Sequence, residues 1–171
     1  LSGLDWKQLK KENGNLPPQQ LEDAVALYDA GILFLDSVLR EWVGEWRAKG
    51  LLDDTLLAIT ADHGEGLQTR PSSFWGHGGV FQEGLRVPLV MRFPDGWRAG
   101  ERVRQIVGHV DLVPTILDFV GLPHDPRMPG YSLRRGRPED SVILADAEYG
   151  QALTSVYVQW PWKLLIRENT S

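Results

Sequence analysis

The chain has 171 residues, 42% of them hydrophobic and 24% charged, with a net charge of -5 and no cysteine. That length can enclose a sizeable core, either as one domain or as a piece of a larger one. The composition excludes disulfides, thiolate metal sites and a cysteine nucleophile within these residues; the acidic balance argues against nucleic acid as a partner, and no apolar run is long enough to span a membrane.

Residues 1–15 are polar and Lys-rich with no clear period, and read as a loop following something upstream. Leu1 is not Met, no signal-peptide pattern follows it, and Arg167-Glu168-Asn169-Thr170-Ser171 stops just after an apolar run. Neither end reads like the natural end of a gene product, so a fragment is expected.

Pro17 and Pro18 open a long helical pattern. Leu21, Val25, Tyr28, Ile32, Leu35, Val38, Leu39, Trp42, Val43 and Trp46 recur mostly at three- and four-residue steps and draw one apolar stripe, expected to pack in a core. Gly50 after Lys49 is a common helix stop. The run from Leu56 to Ala61 suits a strand buried on both faces of a parallel sheet. A loop covers 66–78, and Val87 to Phe93 forms a second strand that ends at Pro94-Asp95-Gly96. A helix is predicted from about Leu112 to Val120, with Asp111 as its cap, Pro114 in its first turn, and Gly121 and Pro123 ending it. Val142–Leu144, Leu153–Tyr157 and Trp162–Ile166 are strand candidates. There is no internal repeat and no interdomain linker.

Two short motifs carry chemistry: Asp62-His63-Gly64-Glu65 at the end of the first strand, and Phe74-Trp75-Gly76-His77-Gly78-Gly79 on the loop after it. The end of a buried strand is where α/β sheets place their reactive groups. A carboxylate and an imidazole side by side there can both turn toward one divalent cation. Gly64 would let the backbone turn sharply and leave room beside the ion, and Glu65 could orient His63. His77, on a glycine-flanked loop able to fold back over the strand end, could bind an oxyanion or protonate a leaving group.

With Glu83-Gly84-Leu85-Arg86-Val87-Pro88-Leu89-Val90 and Gly108-His109-Val110-Asp111-Leu112-Val113-Pro114-Thr115-Ile116-Leu117-Asp118, these motifs resemble, in order and spacing, the second half of the sulfatase family. The likeness runs over roughly residues 23 to 167, and Tyr28-Asp29-Ala30 and Leu51-Leu52-Asp53-Asp54-Thr55 add to it.

The resemblance implies an α/β fold: an alkaline-phosphatase-like sandwich fragment with a mixed, mainly parallel sheet, helices on its faces and a small C-terminal antiparallel hairpin region. The whole chain would be a single domain fragment, with residues 1–22 an upstream loop, 23–125 the core and 126–171 a C-terminal subdomain. Asp62 and His63 would be two ligands of the catalytic metal: calcium by family, with manganese or zinc also suited to a nitrogen donor. His77 falls near where many sulfatases contact the sulfate group. Arg86 would make a structural ion pair, His109 a packing or capping contact, His124 would sit on the surface, and Lys163 would pack in the C-terminal hairpin. The substrate would be a small-molecule or carbohydrate sulfate ester. The family's formylglycine nucleophile and its further acidic metal ligands lie in an N-terminal part that this sequence lacks, so the chain alone is expected to be inactive. Classical sulfatases often have Asn where His63 stands. His is more usual in phosphonate and phosphodiester hydrolases of the superfamily, which leaves the ester class open, and a non-catalytic structural role is the third reading.

Overall fold

The computed structural model of the chain describes residues 16–68, 75–76, 80–149 and 152–169. Two compact units divide it, Leu1–Trp97 and Arg98–Ser171.

In the first unit, helix α1 spans Pro18–Ala48. Proline costs nothing in a first turn, where its missing N–H would have had no helical partner. At the other end the Leu51 amide reaches the Trp46 carbonyl at 2.9 Å across the left-handed Gly50, a glycine-terminated close. The apolar stripe does not make the expected core within this chain. Ala24 alone is buried in α1, beside Leu16 and Leu21, whereas Ile32 is 54% and Trp42 51% exposed. The reason is one of supply: the strands that share this unit are few and short.

Strand β1 (Leu57–Thr60) pairs with β4 (Leu89–Arg92) in register Leu57↔Arg92 to Thr60↔Leu89. The pairing is antiparallel, as is every ladder among the described residues, so the mainly parallel sheet is not found in them. The connection explains it. Beyond Asp62 the chain makes the short hairpin β2 (Gly66–Leu67) with β3 (Trp75–Gly76), then one helical turn, α2 (Gln82–Leu85). It thereby starts β4 opposite the end of β1, whereas a parallel pair needs a crossover back to the start. β1 is also not buried on both faces, for its residues alternate between half-buried and exposed. Arg92 reaches back from β4 to donate to the Leu52 carbonyl at 2.6 Å, which holds the buried Leu52 turn against the sheet.

In the second unit a 3-10 turn, His109–Asp111, runs into helix α3 (Leu112–Phe119). A three-stranded antiparallel sheet follows: β5 (Ile143–Tyr149), β6 (Ala152–Gln159) and β7 (Trp162–Asn169), with the fully buried Val156 at its centre between Ala145 and Leu165. The three strand candidates and the antiparallel C-terminal region are thus present.

Asp111 stands at the cap position of α3 but its carboxylate does not cap that helix. It accepts the Gly108 amide at 2.9 Å and the Tyr131 amide at 2.8 Å, and both its oxygens take Arg137 Nη1, at 2.6 and 2.7 Å. Gly130 makes the approach possible: its φ is +96°, and a Cβ there would lie 2.1 Å from the Val110 carbonyl oxygen. His109 at the head of the turn is exposed, and His124 is on the surface as expected.

A second carboxylate ties α3 to the same loop. Asp118 accepts Ser132 Oγ at 2.7 Å and Arg135 Nε at 2.9 Å. The Arg135 hydrogen bonds, then that of Ser132, hold its carboxyl below the usual value of 3.8. A depressed folded-state pKa stabilises fully above the ordinary carboxylate value and fades as pH falls through the lowered one. Arg135 is largely exposed, so the contribution is small, about 0.2–1 kcal/mol. Unfolding free energies of the wild type and Asp118→Asn from urea titration should differ by that amount at pH 7 and converge well below pH 3.8; equal values at pH 7 would refute the contribution.

Candidate metal centre

β1 delivers the site. Thr60, its last residue, donates through Oγ1 to the Pro88 carbonyl at 2.8 Å, pinning the strand end to the approach to β4. Two residues later the Asp62 side chain is 87% exposed and that of His63 48%. Both side chains are therefore open to solvent at the strand end.

Main-chain groups hold both side chains. The His63 amide donates to Asp62 Oδ1 at 2.9 Å. His63 Nδ1 lies 2.9 Å from the Gly64 carbonyl, and since a carbonyl only accepts, Nδ1 carries the hydrogen. Nε2 is then the nitrogen turned toward Asp62, 3.6 Å from Oδ2. The Gly64 carbonyl stabilises the protonated ring and is the main reason the His63 pKa is raised above 6.5; partial burial opposes it, and the charges of Asp62 and Glu65 add to it. Glu65 thus acts on His63 through its charge.

Gly64 has a different task from the one expected. Its φ is not among the positive ones, so no left-handed turn requires glycine here. Its amide donates to the Gly84 carbonyl in α2 at 2.7 Å, and a Cβ would lie 1.9 Å from the Glu83 carbonyl oxygen. Contact with α2, not a sharp bend, excludes a side chain. Nothing in the sequence pointed to α2 as the floor of the site, because backbone carbonyls leave no trace in residue types. Arg86, at the end of α2, is exposed and makes no ion pair among the described residues, contrary to expectation.

Beyond Glu65 the β2–β3 ladder sets Gly66 across from Gly76, the residue before His77. His77 itself lies outside the described residues.

The residues present fit a divalent cation in part. A carboxylate oxygen and an imidazole nitrogen 3.6 Å apart are within reach of one ion at bond lengths of about 2.0–2.4 Å. No group of three or more His, Cys, Asp or Glu able to hold a metal occurs among the described residues. No helix among them is long and apolar enough to cross a membrane.

Comparison with known proteins bears on what such a half-site belongs to. Arylsulfatase K of Canis lupus familiaris is 32% identical over 124 residues, covering 72% of this chain and 23% of that protein. Arylsulfatase K of Gallus gallus is 31% identical over 170 residues, covering 90% of this chain and 31% of that protein. The chain therefore spans about a quarter to a third of the length of these relatives. A solved structure, BT4656 in complex with its substrate D-glucosamine-2-N,6-O-disulfate, shares the fold with a TM-score of 0.64 at 17% identity, over 97% of this chain and 45% of that one. Residues 6–122, more than half of the chain, match the sulfatase family, and the chain belongs to that family.

Proposed function

We propose that the complete protein is a metal-dependent sulfuric ester hydrolase, with Asp62 and His63 as two of its metal ligands. The observation that carries this reading is the exposed Asp62–His63 pair at the end of β1, its donor atoms 3.6 Å apart, in a chain of the sulfatase family. Calcium is the metal by family, and the imidazole donor also suits manganese or zinc. When bound, such a cation balances negative charge on the transferring group and favours the ionised nucleophile.

The chain's own contribution is positional. Asp62 offers Oδ2, with Oδ1 engaged by the His63 amide; His63 offers Nε2, with Nδ1 engaged by the Gly64 carbonyl. His77 is the group for the sulfate or the leaving oxygen. The nucleophile and the remaining ligands belong to the rest of the protein. Residues 1–171 are then one piece of a single sulfatase domain, whose further strands would make its sheet mainly parallel. A sulfated small molecule or carbohydrate is the substrate class; the neighbour bound to a glucosamine disulfate supports it.

The test is turnover of an aryl sulfate beside a phosphate diester by the complete protein, with calcium or manganese added. A clear sulfate preference is expected. A diester preference moves the protein to the phosphodiester branch, for which His63 in place of the commoner Asn is the residue in favour. Turnover of neither makes a non-catalytic role the better account. This chain alone, with Asp62 and His63 as its proposed donors, should turn over neither ester.

A further inference from the structure

We propose that Gly64 and the turn α2 form a positioning element for His63: the Gly84 carbonyl anchors Gly64, and the Gly64 carbonyl holds the His63 ring so that it meets a divalent cation through Nε2. The inference rests on the reading of Asp62 and His63 as cation donors, and adds which atom of His63 binds and what fixes it.

Both backbone polar groups of Gly64 are engaged, in opposite directions. Its N–H donates 2.7 Å into α2, and its C=O accepts from the ring of the preceding residue at 2.9 Å. The peptide plane on one side of Gly64 is thereby tied to a separate element, and the plane on the other side aims at the imidazole. A neutral imidazole has one N–H, so the nitrogen that donates to a carbonyl decides which nitrogen keeps a lone pair for metal. Here that choice rests on a main-chain carbonyl, which no side-chain substitution removes. Position 64 can be altered only by displacing it, because any side chain would strike the Glu83 carbonyl, 1.9 Å from the Cβ position. Asp62 is treated in the same way, with Oδ1 accepting the His63 amide and Oδ2 3.6 Å from Nε2. The α2 turn is itself tied, since its own amides at Gly84, Leu85 and Arg86 are bonded back to the carbonyls of Phe81 and Gln82.

The experiment uses the complete protein with isotope-labelled histidine and a spin-active cadmium isotope as the metal probe. The His63 resonances are assigned by their loss in His63→Gln. Scalar coupling from cadmium to His63 Nε2, with the proton on Nδ1, is the expected result. Coupling to Nδ1 overturns the proposal while leaving the two-donor site intact. Cadmium bound with no coupling to either His63 nitrogen overturns both the proposal and the site. Cadmium affinity, read by calorimetry, supplies the second arm. Gly64→Ala should lose about 10–100-fold, the usual cost of disturbing a group that orients a ligand. Gly44→Ala, whose Cβ meets nothing within 4 Å on α1, should bind like the wild type. Wild-type affinity in Gly64→Ala would overturn the positioning role. Should Gly64→Ala fail to fold, the coupling measured on the wild type still decides the matter.

Discussion

Asp111→Ala should destabilise the protein by about 3–5 kcal/mol, the cost of removing one partner from a buried ion pair. Asp111 is 0% exposed and Arg137 5%, and every polar atom of the pair is used. Arg137 adds Ser141 Oγ at 2.7 Å and the Val142 carbonyl at 3.0 Å, and lies 5.1 Å over the Tyr131 ring. Removing the carboxylate strands a buried guanidinium and also the amides of Gly108 and Tyr131. Arg137→Met should cost less, because Asp111 keeps those two amides and the methionine fills part of the space. The double variant should cost less than the sum of the singles, since each single loss includes the penalty of a partner left alone. Chemical denaturation of the four proteins closes this cycle. A loss below about 1 kcal/mol for Asp111→Ala, or additive losses, would show that the pair does not hold the 3-10 turn to the strand-bearing tail.

That pair also marks how far residue types reach. Asp111 before an apolar, proline-started helix reads as a cap, because an aspartate in that place usually is one. What redirects it is Arg137, which lies 26 positions on, and a glycine approach at 130 that no local pattern announces. Elements with local causes were legible: α1 from its period and its Gly50 stop, β1 and β4 from short apolar runs, and α3 from its proline and glycine. Strand direction was not, since an apolar run carries no sign of which way its partner lies. The exposure of the α1 stripe was equally hidden, because periodicity shows which side of a helix is apolar and not what is present to cover it. At the candidate site, the place of Asp62 and His63 just past the end of an apolar strand was legible. The order among their atoms was not, for it depends on two carbonyls and an amide of the main chain.

Asp62→Ala and His63→Ala in the complete protein should each lower sulfate-ester turnover by about 100-fold or more, the scale of losing one preorganised charge-stabilising group. They should do so without much loss of fold. Side chains 87% and 48% exposed contribute little packing, so without added metal the unfolding midpoint should change little. This combination separates a ligand from a structural residue, for a structural pair would lose both together. The conservative variants sharpen it. Asp62→Asn keeps an oxygen donor but drops the charge, and should bind metal better than Asp62→Ala and worse than the wild type. His63→Asn exchanges a nitrogen donor for an amide oxygen; it should retain more activity with calcium than with zinc, because calcium takes oxygen ligands and zinc favours imidazole. Metal affinity, turnover and unfolding midpoint, measured on the same preparations, decide the case. An alanine variant that stays folded and turns over the ester at the wild-type rate would show that its residue is not a metal ligand.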